Sequence, residues 1–516
     1  MTNNSKLPRR DFIKFVVAGS VASGCPIDHA LLADPPRPST NVEGEHFAIC
    51  HQIRDGHSFP KPDATRKVDI AIVGGGMAGL SAAYFLRGKD WLLLEKEDHF
   101  GGNAYQQEFA GQPYSTAAAY DFRDSYSDHL AKEIGLNLLP IDMPDPTIAN
   151  GVYTPDTWRT GLPHLPYSKE TIASFKKFSE DILKFDTRKQ MLELDSKPFT
   201  DITSNYAPEI TKWWDAYGLS NWGAVTEDTT AFIGVSDAQY LIKGEDRTRV
   251  ILPGGLGCIS HKLVEVMKPQ YGERMLGAAT VVSVVSDANE VRVTYMQDDK
   301  LTTVSAKVAL MCTQKFITSR LVAGLSNDQK LAMRRMRYAP VPLINMIFDK
   351  RIYDRGYDNW CPGNSFTDFI VADWTIRNQP GYKPKYEILT FYSTLRESER
   401  STLLEESDCK KFAAKVLKDF QKLLPEFNVD PIEIHLYRRG HAMMMAVPGQ
   451  YTKNRMIASR PMDRIFFGNS DSGGPESLTM EAVRISHAAA EWANLVLAGK
   501  PGAAALAHKA LTAVTF

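Results

Sequence analysis

The segment that most restricts the fold is Val68-Asp69-Ile70-Ala71-Ile72-Val73, followed at once by Gly74-Gly75-Gly76-Met77-Ala78-Gly79. An aliphatic run bounded by glycine reads as a buried parallel strand. Helical spacing takes over from about Met77 to Gly88, and Trp91-Leu92-Leu93-Leu94 reads as a second strand, so the whole forms one βαβ unit. Within the spacing G-x-G-x-x-G, Gly74 permits a tight turn, Gly76 lets a pyrophosphate approach the backbone, and Gly79 lets the helix pack close to the strand. The amides at the start of that helix then face a diphosphate, with Met77 and Ala78 in its first turn. Glu95 ends the second strand, where a carboxylate accepts hydrogen bonds from ribose hydroxyls and repels a 2′-phosphate, which disfavours NADP. The plain alternative is a glycine turn and a surface glutamate with no ligand.

The next stretch is Glu95-Lys96-Glu97-Asp98-His99-Phe100-Gly101-Gly102-Asn103-Ala104. It resembles the flavin-containing amine oxidase superfamily, which includes polyamine oxidases and dehydrogenases, L-amino-acid oxidases and phytoene desaturases. In that family the acid is followed by R-x-G-G-R, and the diglycine lets the backbone run beside the flavin side of the pyrophosphate. Gly101 and Gly102 match in register. His99 and Asn103 replace the two usual arginines, so side-chain compensation of the diphosphate is weaker here or comes from elsewhere. The resemblance implies FAD as cofactor, with Lys96, Asn103 and Ala104 beside the diglycine.

Two later blocks fit the same resemblance. Pro253-Gly254-Gly255 precedes a helical stretch at Ile259–Met267, and Val281–Val285 with Val291-Arg292-Val293 match strands that lay backbone against the adenine, Val282 being the expected contact. Near the C-terminus, Arg464-Ile465-Phe466-Phe467-Gly468-Asn469 resembles the family's strand ending in a glycine and an acid, with Asn469 in the acid's place. Thr479–Ser486 resembles the helix start that points at the N1/O2 edge of the flavin, with Glu481 replacing a glycine. Met480 and Glu481 would then supply backbone amides that stabilise the charge of reduced flavin. The run from Asp98 to Ala104, continuing to Gln107-Glu108-Phe109, looks most like bacterial spermidine-dehydrogenase-like proteins, which tend to carry export signals.

The first residues agree. Pro8-Arg9-Arg10-Asp11-Phe12-Ile13-Lys14 precedes an apolar run from Phe15 to Ala22, too short to span a bilayer as a helix. The pattern RRxFIK resembles a twin-arginine export signal, which implies the twin-arginine translocation machinery as partner and a periplasmic or exported protein; the alternative is a disordered basic tail. Ala30-Leu31-Leu32-Ala33 would end a cleaved signal, whereas Ala22-Ser23-Gly24-Cys25 resembles a weak lipobox that would anchor the chain at Cys25. Both stay open. With 60 basic against 61 acidic residues, the formal charge of −1 gives no electrostatic argument for nucleic acid. The six cysteines form no CxxC pair, so no zinc site and no covalent c-type haem are signalled, though disulfides stay open for an exported chain.

A chain of 516 residues with 43% hydrophobic content has room for two or three domains. The expected fold class is α/β: a Rossmann-like FAD-binding domain of the glutathione-reductase/amine-oxidase type, built from residues 68–125, 246–324 and 456–500. Residues 126–245 and 325–455 form an inserted mixed α+β substrate domain. Residues 1–33 are the signal region, 34–67 an irregular arm, and 501–516 a tail.

A dehydrogenase of this kind needs little acid/base machinery, because the substrate C–H gives hydride to N5 while the site aligns the donor and excludes water. Six tryptophans, Trp158, Trp213, Trp214, Trp222, Trp360 and Trp374, fall outside the flavin blocks. They read as core first and as an aromatic substrate tunnel second. Tyr437-Arg438-Arg439-Gly440-His441 precedes the last flavin strand at the distance where relatives place a strand beside the flavin, so His441 is a candidate base and Tyr437 a cavity wall; a buried strand with a satisfied histidine is the plainer reading. Met443–Met445 read as core, and no spacing of ligands suggests a metal. No lysine matches the one many amine oxidases hold near N5, which favours a dehydrogenase passing electrons to a quinone or redox carrier. The leading expectation is oxidation of an amine, polyamine-like, as the small-molecule substrate. Desaturation or isomerisation of a lipid-like or isoprenoid molecule is the second, and a noncatalytic FAD-stabilised assembly partner the third.

Overall fold

The computed structural model describes residues 38–141, 144–244, 248–462, 464–474, 478–500 and 502–512. The expected signal region, with Cys25, lies outside the described residues. In chain order the elements that shape the molecule are β1 (Ser39–Gly44), α1 (Ala48–Arg54), β2 (Ala64–Val73), α2 (Met77–Phe85), β3 (Trp91–Leu94), α3 (Gly257–Tyr271), β4 (Thr280–Ser286), β5 (Val291–Gln297), β6 (Lys300–Met311) and α4 (Lys315–Leu321). They continue with β7 (Tyr338–Phe348), β8 (Asp358–Trp360), β9 (Asp368–Val371), β10 (Glu387–Tyr392), α5 (Glu406–Leu423), β11 (Glu433–Met444), β12 (Ile465–Phe467), α6 (Thr479–Leu497) and α7 (Ala503–Thr512).

The first sheet has seven strands, with Met275–Leu276, β3, β2, β6, β5 and β4 side by side and β12 on the far edge of β6. β2 is parallel to both β3 and β6. Side chains alternate across β2 and bury on both faces, as a parallel strand under two layers must. Ile70 and Ile72 join Leu80, Ile259, Leu263 and Ile485 in one core, while Ala71 and Val73 join Val284, Val293 and Met333 in the other. Helices α2, α3 and α6 cover the first face.

The second sheet has eight strands in the order β1, β11, β7, β10, β9, β8, Thr147–Ala149 and Val152–Thr154. Its apolar face packs on α5 through Ile344, Met346, Phe391, Val416 and Phe420. Trp158, Trp213, Trp214, Trp222 and Trp360 meet in one buried cluster under the helices of residues 169–243, and Trp374 is partly buried at the edge of another core. The tryptophans therefore follow their core reading and not the tunnel. Among the described residues no helix is long and apolar enough to cross a membrane, and Cys50, Cys258, Cys312, Cys361 and Cys409 are free thiols.

Two boundaries expected from sequence are corrected. The arm of 34–67 is not irregular: β1 pairs in parallel with β11 from Ser39↔Glu433 to Gly44↔Arg438, α1 follows, and β2 already begins at Ala64. Its alternating half-buried pattern with a polar sequence belongs to an edge strand, which offers no apolar run to detect. The tail of 501–516 contains α7, whose alanines and leucine favour helix and which packs along α6.

In the second sheet Asp368 on β9, paired with Trp360, lies diagonally from Asp358 on β8; both are buried and their side chains share a hydrogen bond. Burial pushes Asp368 up to about 7, with the Asp145 charge adding to it against hydrogen bonds from Thr367 and Ser220, and burial raises Asp358 too. The folded state therefore keeps a proton that the unfolded chain, with an ordinary carboxyl near 3.8, releases. Stability should fall as pH rises between about 4 and 7 and level off above. Denaturant midpoints across that window should show a shallower slope for Asp368→Asn, and an unchanged slope would refute the assignment. At the first sheet, a Cβ on Gly79 would lie 1.8 Å from the Gly74 carbonyl oxygen. Gly79→Val should cost about 3 kcal/mol of stability, read as a lowered melting temperature with reduced flavin content, whereas a wild-type melt would disprove the close approach.

Candidate functional site

A pocket opens at the C-terminal ends of β2 and β6, over the first turn of α2. Gly74, with φ +103°, turns the chain out of β2, and the backbone of Gly76 begins the helix. The loop after β3 folds back on this turn. Gly101 N donates to Gly75 O at 2.9 Å, Gly76 and Gly101 form a parallel bridge, and a Cβ on Gly102 would come 2.9 Å from Gly76 Cα. Two bare backbones thus form one wall. Gly74, Gly76, Met77, Ala78, Gly101, Gly102, Asn103 and Ala104 all line it, while Gly79 stands behind, at the strand contact.

Glu95 and Lys96 also line the pocket. Glu95 Oε2 accepts from Gly75 N at 2.6 Å and Oε1 from Glu97 N at 2.9 Å, which orients the carboxylate against the glycine turn and leaves lone pairs for ribose hydroxyls. Burial raises its pKa. Lys96 is bonded to Glu97, which also takes a hydrogen bond from His46 Nδ1 at 2.5 Å. Burial opposes ionisation of Glu97, yet the Lys96 ammonium and these bonds outweigh it and pull the carboxyl down to about 2. The N-terminal arm adds Glu45 and Cys50 to the rim, and burial raises the Cys50 thiol. Neither residue was expected, and no local motif could have revealed them.

Four expected contacts, in three places, shift. At the adenine end Ala279, Thr280 and Val281 line the pocket, not Val282. The β4–β5 register slips between Val281 and Ser283, so a bulge changes which residue faces inward. Asn469 lines the pocket and caps the turn Ser470–Ser472, whereas Gly468 sits behind it against Ala489. At the start of α6, Leu478, Thr479 and Ala482 face the pocket, not Met480 or Glu481. The Glu481 carboxylate turns to Arg484 at 2.8 Å and to Gly474 N at 2.7 Å, an ion pair buried beneath α7 that fixes the loop before the helix. Ser486 Oγ donates to Ala78 O at 2.7 Å and ties α6 to α2.

Strand β11 closes the pocket from the second sheet. Tyr437 lines it and shares a hydrogen bond of 3.1 Å with His99 Nε2. Arg439 lines it as well, its guanidinium 4.4 Å from the Tyr437 ring centre. A charge at a buried strand position was the sequence signal for that residue. His441 does not line the pocket: its ring packs on Phe316 at 4.5 Å, its carbonyl accepts from Gln314, and burial together with the Arg400 charge lowers the ring to about 3. It is a neutral, packed side chain, in keeping with the plainer reading and against a base at this pocket.

Sequence reading also missed the support of the Cys312-Thr313-Gln314 wall. Lys315, with no exposed side-chain surface, donates to Asp471 Oδ1 and to Ser472 Oγ, both at 2.6 Å, while Tyr338 OH donates to Asp471 Oδ2 at 2.6 Å. This network joins the end of β6 to the Asn469–Ser472 turn. Among the described residues no group of three or more His, Cys, Asp or Glu is placed to hold a metal ion. Lys315→Met leaves Asp471 charged and buried, and should cost about 3–5 kcal/mol; thermal melts should show the loss, and an unchanged melting temperature would exclude the buried ion pair.

The walls fit FAD: a side-chain-free cradle for a diphosphate, a carboxylate at the ribose position, and a helix start at the far end. The sequence model described as flavin containing amine oxidoreductase matches residues 77–491. A search of curated proteins finds no significant match. Among solved structures, putrescine oxidase bound to putrescine superposes with a TM-score of 0.64 at 16% identity, covering 82% of this chain and 98% of that one. Cyclohexylamine oxidase from Brevibacterium oxydans IH-35A gives 0.65 at 17% identity, covering 84% and 99%. A candidate protoporphyrinogen oxidase from Exiguobacterium sp. 255-15 gives 0.63 at 14%, covering 85% and 100%. These likenesses extend the common fold over nearly the full length of each relative. With the family model matching residues 77–491, most of its length, the chain belongs to the flavin-containing amine oxidoreductase family and is an FAD-dependent oxidoreductase.

Proposed function

We propose that the protein oxidises a C–N bond of a primary or secondary amine, polyamines being the first class to test. The observation that carries this reading is the family match across residues 77–491, supported by full-length likeness to a putrescine oxidase and a cyclohexylamine oxidase. FAD, when bound, would supply a two-electron acceptor for oxidation of the carbon bearing the nitrogen. The chain's own part is to bind and orient. The glycine turn and the start of α2 would meet the diphosphate, Glu95 would hold the ribose, and Thr479 and Ala482 line the pocket at the start of α6. Residues of the second sheet close the pocket from above and limit water.

A second reading, dehydrogenation of an apolar ring or isoprenoid substrate, draws support from the protoporphyrinogen oxidase relative, whose TM-score of 0.63 is close to the 0.65 of the amine oxidase. In the first reading the electrons pass on to a quinone or redox carrier, and the Arg9-Arg10 motif supports action after twin-arginine export.

Anaerobic titration of the purified yellow protein decides between the readings. Polyamines or simple amines should bleach the oxidised flavin while apolar donors do not. Bleaching only by apolar donors would replace the first reading with the second. With a reactive amine, dye reduction should exceed peroxide release, and stoichiometric peroxide would remove the carrier dehydrogenase.

A further inference from the structure

The pocket carries several carboxylates although its expected ligand is anionic. Glu45, Glu95 and Glu97 line it, and Lys96 is already bonded to Glu97. His99 is held by Asp98 at 2.8 Å and by Tyr437, and Asn103 Nδ2 is turned away to Ala442 O at 2.7 Å. Each of these side chains is already engaged by a protein group.

Arg439 differs from all of them. It is 3% exposed, lies on β11 of the second sheet, and lines the same pocket as the glycine turn and the diglycine. Its Nη2 donates to Thr116 Oγ1 at 2.8 Å and its Nε to Thr116 O at 3.3 Å, while Nη1 makes no hydrogen bond among the described residues. No carboxylate pairs with it there either. A buried guanidinium with only neutral partners is unfavourable, because its desolvation is not offset by an opposite charge. The Tyr437 ring beside the guanidinium is hydrogen-bonded to His99, in the loop that leads to Gly101 and Gly102.

We propose that Arg439 is the cation that neutralises the FAD diphosphate, supplied by the second sheet and not by the loop after β3. Thr116 fixes two edges of the guanidinium and Tyr437 its plane, so that Nη1 is presented to a phosphate oxygen without further ordering. The assignment rests on FAD binding alone and is independent of which donor is oxidised.

The test is equilibrium binding of FAD and of ADP to deflavinated full-length protein, with no amine present. A charge-assisted hydrogen bond of this kind is worth about a 10- to 100-fold change in affinity. Arg439→Gln should raise the dissociation constants of FAD and ADP together by that range, because ADP carries the diphosphate but no flavin ring. Arg439→Lys, which keeps the buried charge and loses the fork, should give a smaller rise in both and covers the case in which the glutamine variant does not fold. Circular dichroism and melting of the apoproteins report that folding separately. Unchanged FAD affinity in a folded variant overturns the proposal. So does weakened FAD binding with unchanged ADP binding and a shifted flavin reduction potential, which would place Arg439 at the ring instead.

Discussion

The approach of Gly79 to the carbonyl of Gly74 sets the spacing from which everything else in the pocket follows. With no Cβ between them, α2 starts against the end of β2, and its first amides project from the sheet edge. The loop after β3 can then lie on Gly76 through Gly101 and Gly102, and Glu95 can reach Gly75 N. One side chain inserted at any of these contacts would separate two backbones that the ligand needs side by side.

Much of this wall was legible because its cause is local. The apolar run of β2, the glycine spacing and the acid after β3 sit within one βαβ unit, and each has a physical reason to be there. What sequence reading misplaced depends on pairing between distant segments. Val281 replaces Val282 because a bulge against β5 shifts the register. Leu478, Thr479 and Ala482 take the place of Met480 and Glu481 at the pocket, and the Glu481 carboxylate is engaged by Arg484, one turn along. The same holds for β1, whose polar edge-strand pattern has meaning only beside β11, and for the buried Lys315–Asp471 pair, whose members lie in separate blocks of the chain.

The pocket is not the property of one sheet. Tyr437 reaches His99, Asn103 reaches Ala442, and Gln314 reaches the His441 carbonyl, so strand β11 is bonded both to the loop after β3 and to the segment after β6. The arrangement couples cofactor affinity to the packing of the second sheet. A loosened β11 would weaken the flavin site even with every glycine in place, and cofactor content is therefore also a measure of how well the two halves are docked.

The pairing of β1 with β11 also has a temporal side. A strand at residue 39 finds its partner only when residue 433 has left the ribosome, so nearly the whole polypeptide exists before its first described strand can settle. The segment that follows β1 carries Glu45 and Cys50 to the rim of the pocket, which links that late event to closure over the dinucleotide. An ordered β1 therefore implies that the last strand of the second sheet has already been made.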